Sequence, residues 1–284
     1  MTEVRKNDMF GLSDLAAIHP FFKTWLGVKA GKLLLNLLCA NKANDVNRIC
    51  AGKEPWIAAG EMMEMFGIKM EVENEHILES FPDKGFIAVS NHAYGAIDGI
   101  ALTHVLGKHR PDFKIMVNEV LLRIYAISDS FIGVKPQVGF KKEQKQSTLG
   151  LKEVLSTIRN GHPLSMFPAG AVSMYEDRDY VADRKWQESA LKIIKASAVP
   201  VVPIFFHGYN SPYFYKLEKI HIALRTVFMA REVFNKQGYT LRMTVGNPIS
   251  VEEQNRCQTI DELGLLLRNR TYELSGDSRL YSKM

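Results

Sequence analysis

His92 and Asp98 are the pair most suited to chemistry in this 284-residue chain. They sit in Ser90-Asn91-His92-Ala93-Tyr94-Gly95-Ala96-Ile97-Asp98-Gly99, just after the apolar run Gly85 to Ser90, which reads as a buried strand. A histidine beside a carboxylate makes a general base, because the carboxylate fixes the ring tautomer and stabilises the imidazolium as it forms. Such a dyad activates a hydroxyl or an amine. No serine or cysteine stands in a nucleophile-elbow pattern such as G-x-S-x-G, so a covalent nucleophile is not implied. Gly95 and Gly99 permit tight backbone around the pair. The same residues have a plainer reading: a histidine after a strand is commonly a satisfied polar group, and Asp98 can cap the helix that follows. From these two residues alone the plainer reading is the stronger.

The elements that must position the pair follow from the apolar pattern. Up to residue 68 the chain reads as helical. Phe21 to Asn41 is apolar but interrupted by Lys23, Lys29 and Lys32, which suits a helix at a membrane interface or one packed on the main domain. In Pro55 to Phe66, the methionines Met62, Met63 and Met65 read as core filler. From residue 69 strands alternate with helices. Strands are expected at Ile68 to Val72, Gly85 to Ser90, Phe113 to Val117, Phe131 to Val134, Pro163 to Phe167, Val199 to Phe206 and Leu241 to Val245. Helices are expected at Asp98 to Leu106, Ser147 to Arg159, Trp186 to Ala196 and Val251 to Arg270. Two prolines in Val199 to Phe206 make that strand irregular or place it near an edge. The expected fold class is α/β, with a central, mostly parallel sheet covered by helices and an N-terminal helical segment. The division is 1–68, helical and apposed to a membrane, and 69–284, the α/β domain. Sites in such sheets form at the carboxyl ends of strands, where Asn91 to Gly99 and Phe167 to Ser173 fall.

Composition sets outer bounds. Hydrophobic residues are 46% and charged residues 24% of the chain, as in a packed globular protein. The net charge of +5 suits an anionic partner: a membrane surface, an acidic carrier protein or a nucleotide-bearing thioester. It is too small, and too poorly clustered with aromatics, to imply nucleic acid. Cys39, Cys50 and Cys257 fit neither a disulfide framework nor a zinc site, which favours a reducing, cytoplasmic compartment. No metal-ligand cluster, signal-peptide run or apolar stretch of membrane-spanning length is expected.

Four blocks, taken together, resemble a known family. Asn91-His92 followed by Asp98-Gly99 is similar to the NH…D signature of the lysophosphatidic acid and glycerol-phosphate acyltransferase superfamily. Phe131 to Pro136 stands where that superfamily has its second block. Phe167-Pro168-Ala169-Gly170 resembles its F-P-E-G turn, and Val199 to Ile204 its later V-P-V-x-P block. The blocks occur in order over roughly residues 70 to 250. The resemblance implies His92 as base and Asp98 as its partner, with the acceptor attacking an acyl thioester directly. It implies acyl-carrier protein or acyl-CoA as donor, no cofactor, a lipid acceptor and a peripheral place on the cytoplasmic face of the inner membrane. Substrate-binding positions would be Asn91, Gly95, Gly99, Phe167, Pro168, Ala169, Gly170 and Ser173.

Two departures refine the resemblance. The common signature has four residues between histidine and aspartate, and here there are five, Ala93 to Ile97. That variant resembles the hemolysin-like branch, associated with ornithine- and glycine-containing aminolipids of bacteria. Gly95 can absorb the extra residue. In the third block, Ala169 and Val172 replace the glutamate and arginine of F-P-E-G-T-R-S. Neither can hold phosphate by charge-assisted hydrogen bonds, so an amino acid or lyso-aminolipid acceptor is expected, with a lysophospholipid as the alternative.

Other groups carry open readings. Asn210 and Ser211, in Gly208-Tyr209-Asn210-Ser211, line the acceptor pocket or form a plain turn. Arg225 and Glu232, seven residues apart, hold a carboxylate or the donor's phosphopantetheine, or form a solvated helix face. Gly139-Phe140-Lys141-Lys142 with Lys145 docks a carrier protein or CoA phosphates, or is a solvated loop. Asn118 and Glu119 can face the site, the N–H groups of Gly170 and Ala171 are candidate oxyanion donors, and Trp186 reads as packing. Two rival functions remain: a non-catalytic, membrane-active lipid-binding protein, and a thioesterase-like hydrolase that turns the same dyad on water.

Overall fold

In the computed structural model, residues 8–9, 11–81, 83–134, 148–177, 180–217 and 222–281 are described. Helices come first: α1 (Leu12–Ile18), α2 (Trp25–Leu37), α3 (Ala40–Cys50) and α4 (Pro55–Met65). The single helix expected over Phe21 to Asn41 is broken twice. Pro20–Lys23 forms a 3₁₀ turn, and the Thr24 hydroxyl then accepts the Gly27 N–H at 3.1 Å and starts α2 afresh. Cys39, with φ +57°, reverses the chain between α2 and α3. Pro55 begins α4, whose Ala58, Ala59, Met62 and Met63 are buried, as expected of core methionines, whereas Met65 is exposed.

The rest of the chain alternates. It runs β1 (Lys69–Glu73), β2 (Ile87–Ser90), α5 (Ala96–His109), β3 (Lys114–Asn118), β4 (Phe131–Val134), α6 (Thr148–Arg159), β5 (Leu164–Met166), β6 (Met174–Asp177) and β7 (Tyr180–Ala182). It continues through α7 (Glu188–Ser197), β8 (Val201–His207), α8 (Pro212–Leu217), α9 (Ile222–Phe234), β9 (Thr240–Val245), α10 (Val251–Asn255) and α11 (Ile260–Glu273). Seven strands form one sheet in the order β1-β9-β8-β2-β5-β3-β4. Every pair is parallel except β8 with β9. The expected α/β class, with a mostly parallel sheet under helices, is what the chain adopts.

Alternation along the inner strands splits the core into two layers. Ala88 of β2 and Val202, Ile204 and Phe206 of β8 face one layer, together with α4 and α5. Ile87, Val89 and Val201 face the other, with Val154 and Ile158 of α6, Ile194 of α7 and Leu267 of α11. The chain leaves β2 for β3 on one side and returns from β5 to β8 on the other. The connections therefore diverge at the carboxyl ends of β2 and β5, where such sheets open a crevice.

The edge alternative for the fourth-block strand and the single closing helix both fail, for identifiable reasons. Val199 to Phe206 is no edge: β8 lies inside the sheet, paired with β2 and β9. Pro203 is tolerated because it sits at a break in the β8–β9 ladder, between the Ile204–Val245 pair and the Val201–Ile249 bridge. Its carbonyl still accepts the Gly246 N–H at 2.8 Å. Val251 to Arg270 is two helices, each with its own cap: the Ser250 hydroxyl accepts from Glu253 N, and that of Thr259 from Glu262 N. At the sheet's amino end, Arg110 closes α5. It donates to the carbonyls of Phe81, Lys84 and Gly161, and doubly to Asp112.

Candidate active site

β2 ends at Ser90, and the next two residues point opposite ways. The Asn91 amide is buried and plugs β8, donating to the Phe206 carbonyl at 2.9 Å and accepting the Phe206 N–H at 2.7 Å. His92 turns instead to the crevice. Its Nδ1 lies 2.9 Å from Oδ2 of Asp98, whose side chain is fully buried. The same oxygen accepts the N–H groups of Tyr94 at 2.8 Å and Gly95 at 2.9 Å. Asp98 therefore caps α5 and bonds the histidine at once. Three donors on one oxygen suit an ionised carboxylate, which places the ring proton on Nδ1 and leaves the Nε2 lone pair for a substrate.

The five-residue spacing is absorbed by Tyr94 and Gly95. Tyr94 is fully buried, and its hydroxyl donates to the His207 carbonyl at 2.5 Å. Burial pushes that phenol far above its ordinary pKa. Gly95 takes φ +86°, and a Cβ there would lie 2.6 Å from the end of Met229, so glycine is required. Asn210 braces the turn from behind, donating to the Tyr94 carbonyl at 3.2 Å. Ser211 bonds the buried Glu232 through both its N–H and its hydroxyl. The Glu232 partner expected at Arg225, and the lysines of 139–145, lie outside the described side chains and residues.

β5 delivers the second half of the site. The Phe167 ring stacks on the His92 ring, with centroids 3.9 Å apart and planes 20° apart. The turn that follows is tight: Gly170 N–H donates to the Phe167 carbonyl at 2.9 Å, so that N–H is already used and is not a ready oxyanion donor. Ala169 is fully buried, and its carbonyl accepts from Arg184 Nε at 2.9 Å.

Below His92 opens a cleft of about 160 Å³. Of the expected binding residues, His92, Gly95, Gly99, Phe167, Pro168 and Gly170 line it, and so does Asn118. Asn91, Ala169, Ser173, Asn210 and Ser211 are not among its lining residues; those described above brace the loops behind it. The body of the cleft is apolar, built from Ile100, Met116, Leu121, Ile124, Phe131 and Ile193. Gln187 and Ser189, at the start of α7, add polar groups. Sequence reasoning missed these lining residues because each reads as an ordinary core or helix-start position.

A half-buried strand-end histidine over an apolar cleft suits acyl chemistry, and comparison with known proteins agrees. Residues 54–278 match the model of a family described as acyltransferase. The chain belongs to that acyltransferase family. Two relatives named lyso-glycine lipid O-acyltransferase align with it, one from Phocaeicola vulgatus and one from Bacteroides thetaiotaomicron. The first is 28% identical over 75% of each chain. The second is 29% identical over 75% of this chain and 77% of its own. A solved 1-acyl-sn-glycerophosphate (LPA) acyltransferase, PlsC, from Thermotoga maritima aligns over both whole chains at 15% identity and a TM-score of 0.47. Membership meets the expectation of an acyltransferase enzyme drawn from the ordered blocks, and the non-catalytic lipid-binding reading is set aside. Among the described residues, no helix of this acyltransferase is long and apolar enough to cross a membrane.

Proposed function

We propose that the protein transfers a fatty acyl group from an acyl-carrier-protein or CoA thioester to the hydroxyl of a lyso-aminolipid, with His92 as general base. The observation that carries this reading is the His92 ring, held by buried Asp98 at the mouth of an apolar cleft. His92 Nε2 takes the acceptor proton as the oxygen attacks the thioester carbonyl. The tetrahedral intermediate collapses, the thiolate leaves, and the imidazolium returns the proton to it. The acyl chain occupies the apolar cleft, where its burial favours binding by roughly 0.8 kcal/mol for each CH₂ removed from water.

Two findings support an aminolipid over a lysophosphatidic acid acceptor. The relatives' names are those of lyso-glycine lipid O-acyltransferases. In addition, the third-block turn carries no charged side chain of its own at the two positions that depart from F-P-E-G-T-R-S: Ala169 is buried, and the Val172 side chain packs toward Gly95. Purified protein would be offered acyl thioesters with lyso-glycine lipid, lyso-ornithine lipid, free glycine and lysophosphatidic acid. Transfer to a lyso-aminolipid hydroxyl is expected. Transfer to lysophosphatidic acid alone, or release of free fatty acid alone, contradicts the reading.

The N-terminal helices are proposed to rest on an anionic membrane surface. Leu26, Ala30, Leu33 and Leu37 form an exposed stripe on α2, next to Trp25 at 70% exposure. Lys23, Lys29 and Lys32 surround it, with Lys29 Nζ 4.0 Å from the Trp25 ring centroid. The wild-type chain is expected to float with phosphatidylglycerol vesicles, and Leu26→Glu/Leu33→Glu to stay in the dense fraction. Equal flotation of both would remove α2 as the contact.

A further inference from the structure

We propose that Asp183 is a positioning residue for the reaction, holding the main chain of His92 so that the ring keeps its place over the cleft. The proposal rests on His92 being the base. Asp98 fixes only the ring; the backbone that carries it is fixed from the other side. The Asp183 side chain is buried, directly after β7, and its carboxylate accepts three hydrogen bonds. They come from the His92 N–H at 3.1 Å, the Ser173 hydroxyl at 2.6 Å and the Trp186 Nε1–H at 3.1 Å. Ser173 completes the clamp, since its own N–H donates to the His92 carbonyl at 2.8 Å. Both main-chain polar groups of His92 are thus held by the Asp183–Ser173 pair.

The clamp has its own anchor. The Asp183 N–H donates to the Tyr272 hydroxyl at 2.6 Å, and its carbonyl accepts from Arg268 Nη2 at 3.3 Å, both on α11. Tyr272 is itself buried and packs edge-on against Phe205 of β8, with centroids 5.5 Å apart. The chain leaving the β6–β7 hairpin is thus anchored by α11 at the main chain of Asp183, while the carboxylate of the same residue faces the histidine. Burial pushes that carboxyl above the usual range, against the pull of its three donors. A buried acid is an expensive way to join neutral groups, and a role confined to packing would not require one.

Chemistry at Trp186 makes the proposal testable. In Asp183→Asn, the amide oxygen can stay on His92 and Ser173 only if its NH₂ faces the Trp186 N–H, setting donor against donor. Flipping the amide turns the NH₂ on His92 and Ser173 instead. Trp186→Phe removes the opposing donor and lets the asparagine keep the clamp. Wild type, His92→Ala, Asp183→Asn, Trp186→Phe and Asp183→Asn/Trp186→Phe would be assayed for acyl transfer, with melting temperatures measured alongside. Asp183→Asn is expected to lower kcat about 100-fold with the acceptor KM little changed, as for a small misplacement of a reacting group. The double variant should recover most of that loss. If Asp183→Asn does not fold, Ser173→Ala carries the test, with a roughly fivefold fall in kcat at constant KM for one lost hydrogen bond. A folded Asp183→Asn with wild-type kcat overturns the proposal, as does a loss that Trp186→Phe leaves untouched, or an unchanged kcat in Ser173→Ala. Transfer that survives His92→Ala is a different failure: it removes the base itself, and the clamp with it.

Discussion

Asp98→Asn is expected to lower kcat for acyl transfer by about 10² to 10⁴, the range attached to a positioned general base. The reason lies in the charge of one carboxylate. Oδ2 of Asp98 accepts from His92 Nδ1 and from the N–H groups of Tyr94 and Gly95. An asparagine oxygen can keep all three donors, with its NH₂ in the place of Oδ1, which has no hydrogen-bond partner, so the turn and the start of α5 are preserved. What is lost is the negative charge that stabilises the imidazolium as His92 takes the acceptor proton. Steady-state kinetics beside a thermal melt separate this loss from unfolding. A folded Asp98→Asn within threefold of wild type would refute Asp98 as the group that stabilises the imidazolium.

Arg110→Ala is expected to act in the opposite way, on stability rather than on catalysis. The guanidinium ties together three backbone carbonyls and Asp112 at the sheet's amino end, away from the crevice. Removing it leaves the three carbonyls without that donor and Asp112 with His162 alone, at a cost of about 3 kcal/mol, with Asp112 discounted for its partial exposure. For a chain of this size that lowers the melting temperature by roughly 6 to 12 °C. At 25 °C, kcat should stay near wild type. A melting temperature within 2 °C of wild type would contradict this account of Arg110.

Much of the fold could be read in advance because its signals are periodic. Gly85 to Ser90, Phe113 to Val117 and Pro163 to Phe167 are short apolar runs bounded by turns, and they reappear in the sheet as β2, β3 and β5. What could not be read were the pairings. Pro203 argues for an edge on composition, yet it falls where the neighbouring ladder is already broken. That break depends on the register of β9, forty residues downstream. The split of the last helix was legible, since Ser250-x-x-Glu253 and Thr259-x-x-Glu262 both carry helix-start signatures. Periodicity alone ran through them.

The site divides along the same line. His92 and Asp98 are close in sequence, but alone they read as an ordinary strand-end pair; the ordered blocks that resemble the acyltransferase superfamily singled them out. Asp183 was invisible: it meets His92 across 91 residues of chain, and nothing local to Asp183-Arg184-Lys185-Trp186 distinguishes it from a surface loop. The cleft-lining residues Ile100, Phe131 and Ile193 come from three separate elements and look like core in each. Asn210 and Ser211 were placed at the right loop, but they face the back of the turn rather than the cleft.

The most direct test pairs wild type with His92→Ala on lyso-glycine lipid and an acyl thioester, reading the diacyl product by mass spectrometry. The account predicts product from wild type and a loss of at least about 100-fold in the variant, with the fold intact by circular dichroism. Undiminished transfer by His92→Ala would contradict the assignment of His92 as the base.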